Sequence, residues 1–113
     1  MPDLCTIETR QTDRSTIVRL IGEIDASNAA SIDGELRAIA LAARSLVIVD
    51  LNELGYVDSA GIAVLERLTT DTRCRIVISS DATVYQTLHV VGFNAGQELY
   101  GSAADALASE PAG

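Results

Sequence analysis

The sequence predicts an α/β fold: a small mixed sheet of four to five strands covered by about four helices, in the order β-β-α-β-α-β-α-β-α. Three observations carry this. Period-two and period-3.6 apolar patterns alternate along the chain. The near-continuous apolar run Leu46-Val-Ile-Val-Asp-Leu51 has the character of a central strand covered on both faces. The composition, 48% hydrophobic but only 4% aromatic with no Trp, calls for an aliphatic core of the helix-on-sheet kind. At 113 residues there is material for one such domain, residues 1–108, with residues 109–113 reading as a frayed tail.

The elements follow in order. Leu4 to Gln11 and Thr16 to Gly22 read as two strands joined by the polar cluster Thr12-Asp-Arg-Ser15, an antiparallel pair at a sheet edge. Ser27 to Ala43 reads as a helix, because Ile32, Leu36, Ile39, Ala40 and Ala43 form one apolar stripe; Gly34 lies within it without breaking it. After the central strand, a short helix is predicted to begin near Ser59 and carry Ile62, Leu65 and Leu68 inward. Arg75 to Ser79 is the next strand. Ala82 to Val91 is a third helix with Val84, Leu88 and Val91 on one side, ended by Gly92. A weak strand over Gln97 to Tyr100 and a small helix follow, the latter opened by the capping-box pair Ser102 and Asp105.

Charge narrows the function. The net charge is −8, and all eight cations are Arg. Such a surface repels nucleic acid and anionic lipid, and without Lys there is no Schiff base and no phosphate-binding P-loop. The segment Met-Pro-Asp-Leu-Cys-Thr shows neither a charged leader nor an apolar core, and no transmembrane run is evident. Cys5 and Cys74 read as two small, partly buried thiols of a reducing compartment. A cytoplasmic protein is the expectation.

The stretch Leu54-Gly-Tyr-Val-Asp-Ser-Ala-Gly-Ile62 places a lone serine between a strand and a helix. A nucleophile elbow needs glycine two residues on either side of its serine. Gly61 is present, but position 57 is Val, and the sole histidine, His89, reads as a helix-surface residue. A small hydrolase built on Ser59 is thereby disfavoured, and the protein reads as a non-enzyme. One His and two separated Cys supply no transition-metal cluster, and Asp50, Glu53 and Asp58 lack the spacing of a calcium loop. No cofactor or metal is predicted. What remains is a hydroxyl at a helix N-terminus, where orphan N–H groups and the helix dipole accommodate an oxygen or a phosphate. Either Asp58 or Ser59 could serve there simply as the cap.

Three segments resemble the STAS domain family, and within it the stand-alone bacterial anti-sigma-factor antagonists. Leu20-Ile-Gly-Glu-Ile-Asp25 is similar to the segment that closes the family's second strand. Val49 to Ile62 resembles its strand, loop and Asp-Ser-Ser/Thr-Gly signature, and Val91-Gly-Phe93 is similar to the pair that ends its third helix. The resemblance implies that Ser59 is phosphorylated by a partner anti-sigma factor, a serine kinase of ATPase type. It also implies that the unphosphorylated form binds that partner and frees the sigma factor. Glu23, Asp25, Asp58, Gly61 and Ile62 would then belong to the partner-binding region around Ser59. Ala60 stands where many members carry a second hydroxyl, which leaves Ser59 as the acceptor. The interval from Ser59 to Ile76 is about one helical turn shorter than is typical, with polar Thr69-Thr-Asp-Thr72 expected to follow a truncated helix. An alternative is a non-switching STAS adaptor subunit of an ATP-driven lipid transport or stress-signalling complex.

Overall fold

The computed structural model describes residues 4–43, 46–90, 99–101 and 103–108. The chain opens with strands β1 (Cys5–Gln11) and β2 (Ser15–Ile24), followed by helix α1 (Ala29–Ala42). Strands β3 (Leu46–Asp50) and β4 (Leu54–Val57) lead into helix α2 (Ser59–Asp71). The remainder is β5 (Cys74–Val77), α3 (Tyr85–Val90), β6 (Leu99–Tyr100) and α4 (Ala103–Ala108). The predicted α/β class and element order hold, with β4 as an additional strand.

One six-stranded mixed sheet has five strands in the order β1-β2-β3-β5-β6 and the sixth, β4, paired with β2 off this path. β1 and β2 are antiparallel, and the other pairings are parallel. The hairpin turn closes as its polar composition predicts: the Thr12 hydroxyl accepts from the backbone N–H of Ser15 at 3.0 Å, and Thr12 N–H donates to the Ser15 carbonyl at 2.8 Å. β2 is three residues longer than the predicted Thr16 to Gly22, gaining Ser15 at its start and Glu23 and Ile24 at its end. Its first half pairs with β3, and its far end, Gly22 to Ile24, pairs with β4. Gly55 is the extra residue where that register shifts, since Gly22 lies opposite Leu54 while Glu23 lies opposite Tyr56.

β3 is buried on both faces, as its continuous apolar run requires. Val47 and Val49 enter the main core with Ile32, Leu36, Leu65, Leu68 and Leu88; Leu46 and Ile48 meet Val77 and Ala106 on the other face. α4 is tied there by Arg75, whose guanidinium donates to the Ala106 carbonyl at 2.6 Å and lies 5.6 Å from the centre of the Tyr100 ring.

Helix α2 is longer than expected. Thr69, Thr70 and Asp71 continue it, because the hydroxyls of Thr69 and Thr70 bond back to the Leu65 and Glu66 carbonyls instead of drawing the chain into a turn. Asp71 then meets the Arg37 guanidinium of α1 at 2.9 Å, and Arg37 also holds Asp33 one turn before it. α3, by contrast, is shorter: Ala82 to Val84 form turns before it. Val91, Gly92, Phe93, Gln97, Glu98, Ser102 and the 109–113 tail lie outside the described residues.

Candidate functional site

Two strand ends, β2 and β4, lie side by side and each feeds a loop into a helix, the usual place for a site on an open α/β sheet. Ile24 and Val57 are buried there, and the Asp58 N–H donates to the Ile24 carbonyl at 3.2 Å. α2 then begins hard against both strands. A Cβ at Gly61 would come within 2.5 Å of Val57 Cγ2 and 3.0 Å of the Ile24 carbonyl oxygen, so the glycine is required by close approach. Val57, the residue that breaks the nucleophile-elbow pattern, is the side chain filling that space.

The cap is Asp58. Its Oδ1 accepts from the backbone N–H groups of Ala60 at 3.0 Å and Gly61 at 3.1 Å, and its Oδ2 accepts from Ala26 N–H at 3.2 Å. One carboxylate thus caps α2 and ties it to the β2–α1 loop. Ser59 occupies the first helical position, is exposed, and its hydroxyl makes no hydrogen bond to another described residue. Asp58→Ala is expected to lower stability by about 1–2 kcal/mol in a urea titration, whereas Ser59→Ala should stay within about 0.5 kcal/mol of the parent. Equal losses would mean that the serine shares the capping role.

The β2–α1 loop is similarly fastened. Asp25 Oδ1 accepts from the Ser27 hydroxyl at 2.5 Å and the Ser27 N–H at 2.8 Å, and these bonds hold the Asp25 carboxyl below the usual aspartate range. A depressed pKa contributes stability above the ordinary aspartate value, lost as pH falls through the lowered one. Asn28 precedes α1 without capping it. Its side chain reaches back instead, accepting from Asp25 N–H at 2.9 Å and donating to the Glu23 carbonyl at 2.9 Å.

Of the sequence-predicted residues, Glu23 and Ser59 are exposed, and Asp25 and Asp58 half-buried. The backbone bond from Asp58 to Ile24 and the side-chain bond from Ala26 to Asp58 bring the two loops together. Gly61 and Ile62 are buried and support the site from beneath. None of Glu23, Asp25 and Asp58 is in an ion pair with a described residue, so this end of the domain gathers uncompensated negative charge. Tyr56, half-exposed opposite Glu23, belongs to the same region; its position three residues before the serine was the only sequence signal for it.

His89 lies on α3, its ring stacked against Tyr85. Among the described residues no group of three or more His, Cys, Asp or Glu is placed to hold a metal ion, and no helix is long and apolar enough to cross a membrane. Burial pushes the Cys74 thiol up to about 12 and also raises Cys5, so neither is a thiolate at neutral pH.

A family model for the STAS domain matches residues 6–106. The chain belongs to the STAS domain family. Among solved structures, this STAS domain is similar to an anti-sigma factor antagonist from Mycobacterium paratuberculosis, with 26% identity over 96% of each chain and a TM-score of 0.78. The anti-sigma factor antagonist SpoIIAA in its unphosphorylated form shares the fold at 18% identity and a TM-score of 0.61, covering 91% of this chain and 94% of that one. The Bacillus cell fate determinant SpoIIAA in the phosphorylated form does so at 17% and 0.57, covering 91% and 97%.

Proposed function

We propose that this STAS domain is an anti-sigma factor antagonist. Its unphosphorylated form binds an anti-sigma factor and releases the sigma factor, and phosphorylation of Ser59 by that partner, a serine kinase of ATPase type, switches binding off. The observation that carries this reading is the division of labour at the start of α2. Asp58 does the capping, which leaves the adjacent Ser59 hydroxyl exposed and free to react. Similarity to the mycobacterial antagonist along nearly the full length of both chains supports the partner class.

Chemically, Ser59 Oγ attacks the γ-phosphorus of ATP held by the partner. The new O–P bond forms as the bond to the bridging oxygen breaks, ADP leaves, and the hydroxyl proton passes to a base on the partner. The modified residue lies beside Asp58 and near Asp25 and Glu23, so the added charge deepens a region that is already negative.

The direct test incubates the protein with a cognate kinase and ATP and follows intact mass. One phosphate is expected on the parent and none on Ser59→Ala. Phosphate that persists in Ser59→Ala, or that maps to a threonine, overturns the assignment.

A further inference from the structure

The sheet ends in β1, whose outer edge meets no other strand among the described residues. The middle of this edge, Glu8-Thr9-Arg10, is exposed. Neither Glu8 nor Arg10 is in an ion pair with a described residue.

A row of charges crosses the sheet to this edge. Asp50 of β3 is opposite Arg19 of β2, and Arg19 is opposite Glu8 of β1, so the three share one face with signs alternating minus, plus, minus. Arg19 Nε lies 4.0 Å from Asp50 Oδ2. The next strand to be added would continue the row with a cation opposite Glu8.

We propose that a second copy of this chain supplies it: two β1 strands pair antiparallel about a two-fold axis at Thr9, with Arg10 of each copy opposite Glu8 of the other. In this register Thr9 faces Thr9 and Ile7 faces Gln11. The result is two symmetry-related rows of four alternating charges, each made of Asp50, Arg19 and Glu8 of one copy and Arg10 of the other, across a continuous twelve-stranded sheet.

Other registers are electrostatically worse. Centring the pair on Glu8 sets carboxylate against carboxylate, centring it on Arg10 sets guanidinium against guanidinium, and an in-register parallel pair does both. A centre between Glu8 and Thr9 leaves each charge opposite an uncharged side chain. On the other face the edge opens into a groove of about 310 Å³ between β1 and α1, lined by Ile7, Thr9, Glu35, Ala38 and Ile39. Two-fold pairing brings two such grooves side by side over the joined edges. The Ser59 site lies beyond the opposite end of β2 from the residues that face the axis, so self-pairing and partner binding use different surfaces.

Sedimentation equilibrium of the full chain reads the association. The parent should show a concentration-dependent dimer that weakens as salt rises. Arg10→Glu, which places like charges opposite each other twice, should reduce association about tenfold or more. The double variant E8R/R10E should recover part of that loss, because it restores opposite charges across the axis while E8R faces Arg19 within its own chain. Thr9→Cys should form an intermolecular disulfide on mild oxidation, because directly opposed Cα atoms in such a pair lie about 4.5–5.5 Å apart. Gln11→Cys, with its counterpart several residues away along the pair, should cross-link about tenfold more slowly or worse. Thermal melts of each variant confirm that these exposed substitutions leave the fold intact. A parent that is monomeric at every concentration, an R10E variant that associates like the parent, or cross-linking at Gln11 as fast as at Thr9 overturns the proposal.

Discussion

Phosphorylated protein is expected to bind its anti-sigma factor more than about a hundredfold more weakly than the unmodified form, with an unchanged circular dichroism spectrum. A loss of about 3 kcal/mol of interface energy suffices for that, and the site's geometry concentrates the effect on the interface. The phosphate adds about −1.5 to −2 charges at an exposed residue. The first helix N–H groups that would ordinarily receive an anion are already engaged: Ala60 and Gly61 donate to the Asp58 carboxylate, and Ile62 donates to the Asp58 carbonyl. The phosphate is therefore left facing outward, next to Glu23, Asp25 and Asp58, where a docking surface must desolvate it or repel it. Ser59→Asp carries a smaller charge on a shorter side chain and should weaken binding by roughly tenfold. Ser59→Ala should bind constitutively. Titration calorimetry with the cognate anti-sigma factor separates the cases, and equal affinity for parent, phosphorylated protein and Ser59→Asp would rule out the switch. A domain that instead co-purifies with a transporter ATPase whatever occupies position 59 would be acting as an adaptor.

The elements that were legible in the sequence are those whose signal is local. β3 announced its double burial through four consecutive apolar residues, α1 its buried face through Ile32 and Leu36, and the hairpin its turn through Thr12 to Ser15. β4 was not legible. Four residues containing a glycine, Leu54-Gly-Tyr-Val57, have too short a pattern to read, and the strand exists because the end of β2, some thirty residues earlier, offers it a ladder. The end of α2 was hidden for a different reason: threonines that favour turns in isolation found their hydroxyl partners on the helix's own carbonyls. At the site, the motif placed Ser59 and Asp58 together, but which of the two caps the helix depends on side-chain direction, which no spacing encodes.

Gly22→Ala should be the most damaging single methyl group in the domain, lowering stability by about 3–5 kcal/mol, a large share of the 5–15 kcal/mol typical of a domain. Gly22 holds a φ of +118°, the only positive φ among the described residues, in a region that residues with a side chain rarely adopt. Space compounds the strain. A Cβ built there collides with the backbone carbonyl oxygen of Leu4, and that oxygen accepts the Glu23 N–H at 2.8 Å. A rotamer change cannot relieve a clash with backbone, so either β1 separates from the end of β2 or β2 gives up its register with β4, and the second outcome moves Ile24 and the loop carrying Asp25. Gly34 provides the internal control. It lies in α1, a Cβ there meets nothing within 4 Å, and Gly34→Ala should gain about 0.5–1 kcal/mol from helix propensity and a less flexible unfolded chain. Thermal melts of the two variants should therefore move in opposite directions, Gly22→Ala down by about 10–25 °C and Gly34→Ala up by a few degrees. If both moved down by similar amounts, loss of glycine itself would be the cause; a selective collapse at position 22 ties the sequence Ile-Gly-Glu-Ile-Asp25 to the geometry that aligns the two strand ends beneath Ser59.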